Sequence, residues 1–179
     1  YGEGLFIGYR WFTARYLEPA VPFGHGLSYA SFEWGTPNVT GSQSTDLSSD
    51  VVVEVDVTNT SERSGTEVVQ LYIAPPKSTL HRPPIELKGY AKLALEPGET
   101  KTASITLNFR SFAYFDPGDQ FYNTLDANSP VPRETGSRRT EPGWYAEPGV
   151  YDLIVARSAT NHHAVIEWEL SGEENYQHP

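Results

Sequence analysis

The side chains that could do chemistry are five histidines, His25, His81, His162, His163 and His178, together with 23 acidic residues. A hydrolytic triad needs a hydroxyl or thiol beside such a base, itself held by a third group. The chain has no cysteine, so a thiolate nucleophile and thiolate-bound zinc are excluded. Gly26-Leu-Ser28-Tyr-Ala30 resembles a nucleophile elbow only loosely, and its Gly and Ser read better as a turn into the first strand. His162 and His163 are adjacent, so on a strand they would point to opposite faces. With no spaced third ligand they read as a solvated turn between the last two strands, not as a metal site. Glycoside hydrolysis requires two carboxyl groups facing each other across the scissile bond. Asp116 with Asp119, or Glu3 with Glu18, are pairs of the right type but unremarkable among so many acids. Gly2-x-Gly4-x-x-x-Gly8 misses the dinucleotide spacing by one residue and follows no strand. The residues therefore assign no catalytic group, no cofactor and no metal.

Binding is a different matter, because aromatic rings can stack on sugars. Phe121, Tyr122, Trp144 and Tyr145 are the candidates for carbohydrate contact. The competing expectation is that these rings pin a long loop to the body of the domain, since a buried aromatic contributes a few kcal/mol. Two sequons, Asn38-Val-Thr40 and Asn59-Thr-Ser61, would accept glycans in a secreted chain, which favours an extracellular setting.

Composition narrows the partners. The 179 residues carry 13 Lys+Arg against 23 Asp+Glu, a formal charge of −10. Duplex nucleic acid draws most of its affinity from cationic side chains, so nucleic acid is not an expected partner. No apolar run approaches the ~18 residues of a membrane span. Hydrophobic residues at 38% and aromatics at 13% are enough for a buried core rather than wholesale disorder. With no methionine and an opening rich in Phe, Ile and Tyr, the chain reads as a piece of a longer polypeptide, or as a processed product.

The elements that must position these residues are strands. Residues 51–57 alternate, with Val51, Val53, Val55 and Val57 on one face and Glu54 and Asp56 on the other. Residues 67–73 alternate again, with Val69, Leu71 and Ile73 inward, so the two runs form a hairpin or a sandwich corner. Pro75, Pro76, Pro83 and Pro84 bracket an exposed crossing segment. Residues 86–95 follow as a strand in which Gly89 marks a bulge or a close approach. Glu96-Pro-Gly-Glu99 carries the type II turn signature, and residues 101–107 alternate after it. Shorter runs at 113–116, 150–157 and 164–170 complete seven or eight strands, the number an all-β antiparallel sandwich needs. No helical period persists over the ~12 residues of a stable helix. The expected organisation is an irregular aromatic connector over residues 1–28, a sandwich over 29–171 with an insert loop at 118–142, and a polar tail over 172–179. Arg133, Arg138 and Arg139 make that insert locally basic.

Specific words in the sequence go further. Tyr1-Gly-Glu-Gly-Leu-Phe-Ile-Gly-Tyr-Arg-Trp-Phe12 and Pro22-Phe-Gly-His-Gly-Leu-Ser-Tyr-Ala-Ser-Phe32 resemble the C-terminal region of glycoside hydrolase family 3. So do Gly65-Thr-Glu-Val-Val-Gln-Leu-Tyr-Ile73, Arg82-Pro-Pro-Ile-Glu-Leu-Lys-Gly-Tyr90 and Glu147-Pro-Gly-Val-Tyr-Asp-Leu-Ile-Val155. The resemblance implies an immunoglobulin-like, fibronectin type III-like sandwich, preceded by the tail of an α/β sandwich domain. It also implies a parent that is a retaining β-glucosidase or β-xylosidase. In that family the nucleophilic Asp lies on an N-terminal barrel and the acid/base Glu in the α/β domain, so no role passes to Glu3. The resemblance thus implies a non-catalytic accessory domain whose partners are the parent's own catalytic domains. The alternative is a carbohydrate-binding module that reaches polysaccharide, or the rim of the parent's active site, through the insert.

Overall fold

The computed structural model describes residues 4–77, 80–118 and 140–177. Strand β3 (Val51–Asn59) is the spine of the first sheet. Strand β6 (Thr100–Leu107) pairs antiparallel along one edge, from Val51↔Leu107 to Thr58↔Thr100. The other edge is shared by two short strands, β1 (Phe32–Trp34) and β2 (Asn38–Thr40). The second sheet runs β10-β9-β4-β5, built from β4 (Gly65–Ala74), β5 (Glu86–Leu95), β9 (Gly149–Ala156) and β10 (His162–Leu170), all antiparallel. The valine run and the run after it fall in different sheets, so their junction is a corner rather than a hairpin.

The valine alternation dictates the interior. Val51, Val53, Val55 and Val57 are all buried, as are Ala103, Ile105 and Leu107 beside them. Facing them across the sandwich are Val69, Leu71 and Ile73 of β4 and Tyr151, Leu153 and Val155 of β9. Phe112 meets the Tyr151 ring edge-on at 5.3 Å. Gly89 satisfies both expectations: the β4–β5 register slips between Leu71 and Tyr72, and a Cβ at Gly89 would collide with Ile105. Residues 96–99 close as expected, with the Glu99 amide donating to the Glu96 carbonyl at 3.0 Å and Gly98 at φ +75°.

Four features differ from the expectations. The connector contains a short helix, α1 (Tyr9–Ala14), whose six residues are too few to show a period in sequence. The proline-bracketed crossing segment turns inward, burying Arg82, Pro83 and Ile85. His162 and His163 open strand β10 rather than forming a turn, and a bulge lies between His162 and Ala164. Finally, the stretch expected as a tail supplies β11 (Asn175–Gln177). It pairs with β8 (Gly143–Ala146), which pairs in turn with β7 (Tyr114–Asp116) to make a small third sheet. A four-residue helix, α2 (Phe109–Phe112), leads into β7.

Candidate functional site: the docked connector and its bare outer side

Alternation in β4 puts Gln70 and Tyr72 on the face away from the sandwich interior, where they would ordinarily meet water. Both are buried, because residues 5–29 fold back over that face. Tyr9 of α1 lies at the centre, stacked on Phe23 at 5.1 Å and edge-on to Tyr72 at 5.6 Å. Its hydroxyl accepts a hydrogen bond from the Leu87 amide at 2.8 Å. Gln70 donates from Nε2 to the carbonyls of Gly24 (3.1 Å) and Arg157 (2.7 Å), while its Oε1 accepts from the Tyr72 hydroxyl at 2.6 Å. Burial drives the Tyr72 phenol far above its ordinary range, so it stays a donor. Gly24 sits at φ +81° so close to Gln70 that any Cβ would strike the amide, which explains the glycine. Ile85, Ile154, Ala156 and Ala159 complete this second apolar cluster.

Charged groups lock the flanks. Arg10 of α1 reaches Glu86 at 3.6 Å, and Glu86 also takes Arg82 at 2.9 Å and Lys88 at 3.1 Å. On the other side, Glu67 accepts from Trp34 Nε1 at 3.1 Å and from Arg157, whose guanidinium covers the Trp34 ring at 4.4 Å. Burial pushes the Glu67 carboxyl up despite the pull of Arg157.

The outer side of the connector has no such cover. Of the 14 exposed large hydrophobics among the described residues, ten lie within residues 5–29, including Leu27 at 87% exposure and Tyr29 at 92%. Tyr16 is the extreme, 96% exposed in a left-handed conformation at φ 54°. It follows the Arg15 C-cap of α1 in a Schellman arrangement, with the Tyr16 amide donating to Thr13 O and the Leu17 amide to Phe12 O.

The residues singled out in the sequence are scattered. Phe121, Tyr122, Asp119, Glu3 and His178 lie outside the described residues. Trp144 is half-buried in β8, edge-on to Phe115 at 5.6 Å and capped by Arg110 at 4.2 Å. Tyr145 is buried, its hydroxyl donating to Glu141 O at 2.7 Å. Asn38 is exposed, whereas Asn59 is fully buried and donates from Nδ2 to the carbonyls of Arg63 and Leu95. Asp116 is buried and accepts from the Gly118 amide, and Glu18 is exposed. His163 contacts Gly35 O at 2.8 Å, and His81 packs on Phe6. Among the described residues no three His, Asp or Glu side chains gather as a metal set. The ring-rich composition of the connector points to rings packed against another surface, but that this surface is Gln70 and Tyr72 of the chain's own β4 has no signal in the sequence.

Two antiparallel sheets in this order, with a crossing connection at each corner, define an immunoglobulin-like sandwich. The fibronectin type III-like domain family model matches residues 67–159, and the chain belongs to that family, in the form carried by glycoside hydrolase family 3 proteins. It is 40% identical over 171 residues to a beta-glucosidase of Rhizobium radiobacter, covering 95% of this chain and 18% of that protein. It is 39% identical over 159 residues to thermostable beta-glucosidase B of Acetivibrio thermocellus, covering 89% of this chain and again 18% of the relative. Beta-glucosidase 3B of Thermotoga neapolitana, solved with glucose, superposes with a TM-score of 0.78 at 29% identity, over 99% of this chain and 21% of its own. The chain thus spans about a fifth of the length of the relatives it matches.

Proposed function

We propose that this chain is a non-catalytic accessory domain of a larger family 3 glycoside hydrolase, acting on β-linked glucosides. It stabilises the catalytic domains by packing residues 5–29 against them. The observation that carries this reading is the two-sidedness of the connector. Its inner side is hooked to β4, β5 and the loop after β9 by the edge-on Tyr9–Tyr72 contact and hydrogen bonds, while large apolar side chains such as Tyr16, Leu27 and Tyr29 stay exposed to solvent. A patch of that kind on a folded domain marks an interaction surface. The relatives' length supplies the partner, since four-fifths of each lies outside the region this chain matches. The polar and aromatic hooks fix the connector's shape before it meets that partner, which lowers the ordering cost of docking.

Two measurements test this. The chain alone should not turn over a chromogenic β-glucoside above a heat-denatured control, and turnover above it sinks the non-catalytic reading. Phe12→Asp with Leu27→Asp should lower the melting temperature of the full-length hydrolase while leaving that of the isolated chain unchanged. Equal effects in both would mean that the strip serves only this domain.

A further inference from the structure

A cleft of about 570 Å³ opens where the start of the connector meets β5, α2 and the small third sheet. That volume suits one or two sugar-sized rings. Its charge is out of keeping with the rest of the molecule. Among the described residues, Arg10, Arg82, Lys88 and Arg110 line it against the single carboxylate of Glu86, whereas the whole chain has 13 cationic residues to 23 acidic ones. Glu86 cannot neutralise the three cations that converge on it, and their side chains are largely withdrawn from water, at 4% exposure for Arg82, 15% for Lys88 and 27% for Arg10. Positive charge left over in a half-buried place is costly unless an anion shares it. Arg110 adds a second signal: its guanidinium sits over Trp144, 4.2 Å from the ring centroid, and faces no carboxylate within ion-pair distance among the described residues. A guanidinium held over a ring by cation–π attraction keeps N–H donors for an oxyanion. Phe115, 41% exposed, and the half-buried Trp144 give the cleft an aromatic wall.

We propose that this cleft binds a carboxylate-bearing sugar ring, with Arg110 and Lys88 holding the carboxylate and the ring lying along Phe115 and Trp144. Burial presses the Lys88 ammonium below its ordinary value, and the nearby charges of Arg82 and Arg10 press the same way against the pull of Glu86; a bound carboxylate relieves that pressure. The site meets the apolar strip of the connector only at Leu5, is built on charged groups the strip does not use and takes a different ligand, so its test stands or falls apart from the docking reading.

The test is a titration of the 179-residue chain with glucuronate, glucose and inorganic phosphate at matched ionic strength. It is followed by calorimetry and by the Trp144 indole N–H resonance, assigned with Trp144→Phe. Glucuronate should saturate the site in the millimolar range, and glucose should bind about tenfold more weakly or not at all, because it lacks the charge-assisted bonds. Arg110→Gln, at an exposed position, should cost about tenfold in glucuronate affinity with the fold intact. Glucuronate binding no tighter than glucose, or unchanged in Arg110→Gln, overturns the proposal. Phosphate matching glucuronate also overturns it, since the cleft would then hold an adventitious ion only.

Discussion

The two faces of β4 are buried in different ways. Toward the interior, Val69, Leu71 and Ile73 meet aliphatic neighbours from both sheets, and shape alone decides the fit. Toward the connector, Tyr72 meets Tyr9 edge-on, Tyr9 is itself stacked on Phe23, and Gln70 is tied to Gly24 and Tyr72 by directed hydrogen bonds. The first face holds the sandwich shut and is shared by most of the chain. The second fastens one segment, the connector, and polar hooks suit that task because they fix position as well as energy. The largest way to break the comparison is through the interior. Leu71→Ala should cost about 3 kcal/mol and shift the whole urea transition. A loss confined to the connector would mean the two faces are not distinct. Tyr9→Ala should cost about 2 kcal/mol or less and act locally. Amide exchange should accelerate at Leu87 and Ala159, whose N–H groups donate to Tyr9 and to Phe23, and stay slow at Val53.

The inner face was legible in the sequence and the outer one was not, for a physical reason. Alternation over residues 51–57 and 101–107 reports which side of a strand is dry, and a turn such as 96–99 is specified by its own Pro and Gly. Gln70 and Tyr72 alternate with the interior residues and so read as solvent-facing. Their burial depends on Gly24, 46 residues away, and on Arg157, 87 residues away. Arg82 is a similar case, since the prolines beside it signal an exposed crossing while its Nη1 donates inward to Phe112 O at 3.2 Å. Of the proposed site, the ring-rich composition of residues 1–25 was readable, but which rings face in and which face out is a tertiary fact.

Acid sharpens the contrast through Glu86 and Glu67. Against the cost of burial, the charges of Lys88 and Arg82 and their hydrogen bonds hold Glu86 below the usual carboxylate range. The folded state therefore binds this proton more weakly than the unfolded one. The stability it contributes is complete above the ordinary carboxylate value and is lost as pH falls through the lowered one. Glu67 has the opposite sign: with its folded value raised, its contribution is present below the ordinary value and lost as pH rises through the raised one. Glu86→Gln should flatten the acid limb of a stability-against-pH profile, and Glu67→Gln should steepen it. Identical profiles for the two variants would show that neither carboxyl is tuned as its surroundings imply.

The smallest expected effect separates the needs of the domain from those of its interface. Among the described residues two non-glycine residues occupy the left-handed region, Leu47 at φ 44° and Tyr16 at φ 54°. Each costs ~1 kcal/mol relative to glycine. Leu47 offsets that cost by burying its side chain in the interior, at 9% exposure. Tyr16, at 96%, recovers no such burial among the described residues, and on the proposed docking its ring is free to meet the catalytic domains. Tyr16→Gly should therefore raise the stability of the isolated chain by about 0.5–1 kcal/mol, after allowing for the greater freedom of glycine in the unfolded state. Leu47→Gly should lower it, because the lost burial outweighs the relieved strain. If the connector docks as proposed, the Tyr16→Gly gain should reverse into a loss in the full-length protein, read as a lower melting temperature. A gain preserved there would leave Tyr16 as strain without a purpose and remove it from the docking surface.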